Sequence, residues 1–132
     1  MNILDENIPK NQTALLESWR IRFKQIGVNI GRLGMLDEAI IPLLLKQHLP
    51  TFFTRDKGFY DIQLCHSRYC LVVLDVGKHE AASFIRRLLR HSAFDTRAKR
   101  MGKVIRVSRA KISIRHVAEA RREIKLGWFK VA

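Results

Sequence analysis

Thr51-Phe52-Phe53-Thr54-Arg55-Asp56 and Cys70-Leu71-Val72-Val73-Leu74-Asp75 decide how this chain is read. Each is a short, continuous run of strand-forming residues, mostly apolar, that stops at an acid. A strand with one wet face alternates apolar and polar residues. These runs do not, so both of their faces are covered, as in a parallel sheet with helices packed over it. Asn2-Ile3-Leu4-Asp5 repeats the pattern in miniature near the amino terminus.

The segments between these runs have helical spacing. Thr13 is placed to cap a helix in which Leu15, Leu16, Trp19, Phe23 and Ile26 share a face, with Gly27 ending it and Val28-Asn29-Ile30 following as a strand. Gly31 and Gly34 bracket a loop. Asp37 stands before an apolar helix that runs to about His48, with Pro42 in or near its first turn. Residues 58–69 read as irregular or as a short helix. Ala81, Phe84, Ile85, Leu88 and Leu89 give the strongest helical periodicity in the chain. Residues 104–107 and 112–114 read as a strand pair across 108–111, and 117–127 as a weaker helix. This order predicts one α/β domain over residues 1–132, built on a mainly parallel sheet.

Hydrophobic residues make up 47% and charged residues 28% of the 132, a balance that suits a folded globular chain and excludes a disordered one. No apolar run approaches the ~18 residues of a membrane span. The opening residues carry neither a basic nor an apolar signal region, so the protein is expected to be cytoplasmic. Cys65 and Cys70 lack the second close pair that a structural zinc site uses, and are read as free thiols.

The net charge of +13 is unevenly placed. Residues 1–76 hold nine basic and eight acidic side chains, net +1; residues 77–132 hold sixteen and four, net +12. Such a field attracts polyanions, with nucleic acid ahead of a membrane surface or an acidic protein. Arg97, Lys99, Arg100, Lys103, Arg106 and Arg109 form the densest stretch and are the candidates for tracking a nucleic-acid backbone. Arg55 and Lys57 flank Asp56 and are candidates for phosphate contact. Arg86, Arg87 and Arg90 read as a generic polar helix face. Trp19 reads as core, and Trp128-Phe129 as core, dimer contact or partner anchor.

In a parallel sheet the residues just past the strands' carboxyl ends collect along one edge, where ligands bind. Asp5, Asp56 and Asp75 each follow closely on a strand, and Asp37 begins a helix that follows a strand and loop. Like charges brought together call for a cation, and hard oxygen donors select Mg²⁺ or Mn²⁺. Each acid also has an ordinary role available: Asp37 as a helix cap, the others as turn residues. An acidic, metal-binding crevice on a basic protein suits phosphodiester hydrolysis.

Three ordered blocks, Ile3-Leu4-Asp5-Glu6-Asn7-Ile8-Pro9, Leu36-Asp37-Glu38-Ala39-Ile40 and Leu49 to Phe59 with its Thr-Arg-Asp element, resemble the PIN-domain ribonucleases. The nearest branch is a short PIN-like group opening with Leu-Asp-Glu-Asn, related to VapC-type toxins. The likeness covers roughly the first sixty residues. It implies a three-layer α/β/α domain and an Mg²⁺- or Mn²⁺-dependent endonuclease for single-stranded RNA, with Asp5, Asp37 and Asp56 as acidic ligands. It also brings in an antitoxin protein as a partner, with a homodimer left open. The helix Glu usual between the first two blocks is missing, the interval offering only Glu6 and Glu17, and Gly58 stands where a fuller motif has an acid. Glu6, Glu38 and Asp75 are therefore the supplementary candidates for the metal. Two alternatives stand beside the nuclease: a non-catalytic basic module that binds nucleic acid on the same scaffold, and an Mg²⁺ enzyme acting on small phosphate esters.

Overall fold

The structure is a computed structural model and describes residues 1–128; Phe129 lies outside the described residues. Seven strands form one sheet in the order β2-β1-β3-β4-β5-β6-β7. They are β1 (Asn2–Leu4), β2 (Lys24–Gln25), β3 (Thr51–Thr54), β4 (Cys70–Leu74), β5 (Lys103–Val107), β6 (Ile112–His116) and β7 (Ile124–Leu126). The first five run parallel, β6 pairs antiparallel with β5, and β7 pairs antiparallel with β6. The helices are α1 (Lys10–Ser18), α2 (Asp37–Leu45), α3 (Ala81–Arg90) and the single turn α4 (Arg97–Arg100).

The apolar strands are buried on both sides, as their unbroken patterns require. Leu4, Phe53, Val72 and Ile105 join one core with Leu16 of α1 and Phe84, Ile85 and Leu88 of α3. Their neighbours Ile3, Phe52, Leu71, Val73 and Val104 join a second core with Ile40 and Leu44 of α2 and Phe59. Because successive strand residues point to opposite faces, α1 and α3 cover one face of the sheet and α2 the other. The chain therefore leaves β1 over one face and enters β3 from the other. The winding reverses between β1 and β3, and in open sheets of this kind ligands bind at the carboxyl ends of the strands at such a point.

Two expected elements take different forms. The first helix begins after Pro9, not at Thr13, whose hydroxyl donates to Lys10 O inside it. It stops at Ser18, well short of Gly27. Arg20 adopts φ 60°, its N–H donates to Glu17 O, and the Ile21 N–H reaches Leu16 O. That pair of bonds is the glycine-type helix stop built on an arginine, so no sequence signal marks it. Phe23 and Ile26 consequently leave the helix, and β2 forms at Lys24–Gln25, ahead of the expected strand at 28–30, which keeps only a bridge between Ile26 and Ile30. At the other end, 117–127 is not helical. A 3₁₀ turn at Val117–Glu119 leads into β7, which places Ile124 and Leu126 opposite Ile114 and Ile112. Cross-strand apolar pairing outweighs weak helical spacing there.

Several smaller expectations hold, but Asp37 lies within the helix it was expected to cap. The strand pair 103–107 and 112–116 is a hairpin, residues 57–64 make two 3₁₀ turns, and both cysteines are free. Asp37 occupies the first turn of α2, preceded by Leu36 in the cap position. Among the described residues no helix is long and apolar enough to cross a membrane.

Candidate functional site

Asp5 continues β1 past its last residue. Its N–H donates to Phe53 O, which holds it beside Thr54 on the neighbouring strand. The Gln25 amide donates to the carbonyls of Asp5 and Ile8, fixing the turn behind the carboxyl group. Asp5 is 5% exposed. Its Oδ1 accepts from Glu6 N at 2.8 Å, and its Oδ2 from the Thr54 hydroxyl at 2.6 Å. The same hydroxyl accepts from Asp56 N at 3.0 Å. Thr54, fully buried at the end of β3, therefore ties Asp5 to Asp56.

Asp56 is exposed and caps the 3₁₀ turn Lys57–Phe59, its Oδ1 accepting from Gly58 N at 2.9 Å. A Cβ at position 58 would lie 3.1 Å from that oxygen. A side chain at 58 would need that oxygen to give by a few tenths of an ångström. Asp37 stands at the start of α2, and the charge of Asp56 acts on it.

Burial pushes the Asp5 carboxyl above its ordinary value; the hydrogen bonds from Thr54 and Glu6 pull it down, and the charges of Glu6 and Asp56 push it up. Burial also raises Asp37, followed by the charge and side chain of Asp56 and the charges of Asp5 and Glu38. Three carboxylates expected from separate strand and helix ends thus act on one another at one edge of the sheet. Among the described residues, no group of three or more His, Cys, Asp or Glu side chains is drawn together as a ready-made metal cluster. The arrangement is an open set of mutually repelling oxygens, without thiol or imidazole.

The supplementary candidates go elsewhere. Both oxygens of Glu6 accept from Gly34 N, at 3.1 and 3.0 Å, so Glu6 pins the loop that leads into α2. Glu38 is exposed and enters only as a charge near Asp37. Asp75 binds Lys57 at 3.3 Å and Arg106 at 2.6 Å, and these partners, Arg106 first, hold its carboxyl below the ordinary value. Arg55 donates to Val76 O and fastens β3 to the turn after β4.

The basic stretch expected to track a backbone is divided. Arg106 and Arg109 lie toward the carboxylate edge, paired with Asp75 and Glu80. Arg97 and Arg100 lie at the opposite edge, near Met1 at the start of β1. Lys99 pairs with Asp95, and the half-buried Lys103 sits over the Phe94 ring. Arg100 requires a correction: it is buried, donating to Thr51 Oγ1 at 2.9 Å and Phe94 O at 2.8 Å. It belongs to the interior and is not a surface cation. Trp19 is only partly buried, and Trp128 packs on Phe84 and donates to Ser108 O.

The residue at this edge that sequence reasoning missed is Thr54, which bonds both Asp5 and Asp56. Its signal was present in the Thr-Arg-Asp element, where a hydroxyl two residues before an acid at a strand end can bond that acid's own N–H. No protein-family model, no curated protein and no solved structure matched this chain.

Proposed function

We propose that the chain is a PIN-like, divalent-metal-dependent endoribonuclease with a three-layer α/β/α arrangement, acting on single-stranded RNA in the cytoplasm. The observation that carries the proposal is the buried Thr54 hydroxyl that joins Asp5 Oδ2 to Asp56 N at the carboxyl ends of β1 and β3, with the charges of both acids felt by Asp37. Carboxylates that act on one another, without an ion-pair partner among the described residues, gain from a bound cation, and an all-oxygen donor set suits Mg²⁺ or Mn²⁺. When bound, such an ion activates water and neutralises charge on a phosphodiester. Asp5 is the buried anchor, oriented by Thr54 and Glu6 N; Asp37 and Asp56 are its exposed companions. Glu6 fixes the loop that delivers Asp37. Lys57 and Arg106, held by Asp75, stand as cations close to the site and are suited to a neighbouring phosphate. Action as a toxin restrained by an antitoxin protein belongs to the same reading.

Cleavage of a single-stranded RNA with Mn²⁺ or Mg²⁺ tests the proposal. Activity should vanish with EDTA and in Asp5→Asn and Asp56→Asn. Cleavage by both variants at the parent rate would overturn it. The absence of a ready-made cluster among the described residues favours one rival, a basic module that binds nucleic acid without cutting it. Salt-sensitive RNA binding with no cleavage under any metal would select that rival.

A further inference from the structure

Where the sequence concentrates cations, the structure buries or pairs most of them. Within 97–109, Arg100 is buried and Lys99, Arg106 and Arg109 each have a carboxylate partner. The middle and end of α3 differ. Among the described residues, neither Arg86 nor Arg90 has an ion pair. Ser83, Arg86 and Arg90 fall on one stripe of the helix, at i, i+3 and i+7. With Trp19 at the end of α1, they line a groove of about 330 Å³.

The groove is ordered before anything enters it. The Arg86 guanidinium lies 4.5 Å from the Trp19 ring centroid, and Arg87 is held over Phe84 and Trp128 at 4.8 and 4.4 Å. Stacking fixes the planes of both forks, so less side-chain freedom is lost on binding an anion.

We infer that this groove between α1 and α3 is a binding track for the backbone of a single-stranded nucleic acid. It is too shallow and too uniformly cationic for a small phosphorylated metabolite, which needs enclosure and several convergent polar groups. A polymer gains affinity by repeating a modest phosphate contact, and guanidinium planes also accept stacked bases. α1 and α3 start together, Gln12 Oε1 accepting from Ala82 N. α3 then runs back from the carboxylate edge for about 15 Å, with Arg86 and Arg90 in its far half. A strand seated there reaches the carboxylates by following the helix. The inference takes RNA as the polymer from the nuclease reading, but binding itself does not depend on cleavage.

The test is made in EDTA, by fluorescence anisotropy with a labelled oligouridylate of about 15 nucleotides. Arg86→Glu/Arg90→Glu is compared with the charge-matched Lys46→Glu/Arg121→Glu, both checked for native circular dichroism. The groove variant should bind about tenfold or more weakly, with a salt slope shallower by about 1.4, since each phosphate contact on a single strand contributes about 0.7. The control should lose less than about threefold. Arg86→Lys/Arg90→Lys, which keeps charge and removes the forks, should fall between parent and Glu variant, and oligonucleotide binding should change Trp19 emission. Equal losses in the two Glu variants, or tighter binding to anionic vesicles than to RNA, would overturn the inference. Groove-dependent binding without cleavage would sink the nuclease reading and leave this one standing; cleavage indifferent to the groove would do the reverse.

Discussion

Thr54→Val replaces a buried hydroxyl with a methyl of nearly the same size, so its effect isolates two hydrogen bonds. One is the 2.6 Å bond to the Asp5 carboxylate and the other the 3.0 Å bond from Asp56 N. A bond to a charged group contributes about 2 kcal/mol and a neutral one about 1 kcal/mol, giving a loss of about 3 kcal/mol. For a chain of this size that lowers Tm by about 10 °C. Thr54→Ser keeps both bonds and removes one buried methyl, costing about 1 kcal/mol. Urea unfolding of the three proteins measures the difference, provided the m values agree.

The pH dependence has a definite sign. Burial already raises the folded Asp5 carboxyl above 3.8, and the Thr54 hydroxyl opposes that rise. Removing it raises the carboxyl further. A carboxyl raised in the folded state destabilises fully above its raised value, and less as pH falls through that value toward the unfolded one. The deficit of Thr54→Val should therefore be complete at neutral pH and shrink in acid. If Val proves no worse than Ser at pH 7, or its deficit grows in acid, Thr54 does not tie the two acids together.

Asp37→Asn removes a raised, repelling carboxyl, so the metal-free protein should melt no lower than the parent at pH 7, while the upward Tm shift with Mn²⁺ seen in the parent disappears. Calorimetric scans with and without the ion read both effects. Arg100→Met leaves Thr51 Oγ1 and Phe94 O without their buried donor and should cost about 2 kcal/mol in urea unfolding, with an unchanged salt slope for RNA binding. Glu6→Ala frees Gly34 N, so amide exchange across 31–36 should quicken while the strands keep their protection.

The parallel sheet was legible because unbroken apolar runs leave a strand no wet face, and β3 and β4 fall where that pattern puts them. α3 was legible from its spacing. The end of α1 was not, because Arg20 takes a left-handed conformation that sequence assigns to glycine, and β2 moved with it. β7 was hidden because a three-residue strand has too few positions to display a period; its partner on β6 decides it. At the site, Asp5 and Asp56 followed from strand direction alone, and Asp37 needed the block order as well. The fates of Glu6 and Asp75 depended on tertiary partners, Gly34 on one side and Lys57 and Arg106 on the other. Charge density misled for a similar reason: sequence counts cations, whereas folding decides which of them meet a carboxylate.

Titration of Mn²⁺ into the parent and into Asp5→Asn, Asp37→Asn and Asp56→Asn, followed by the free-ion paramagnetic resonance signal, addresses the gathered acids most directly. The parent should take up the ion, and each single substitution should weaken uptake by about tenfold or more, since each removes one charged oxygen donor. Uptake equal in all four proteins, or absent from the parent, would contradict a divalent-ion site at the carboxyl ends of β1 and β3.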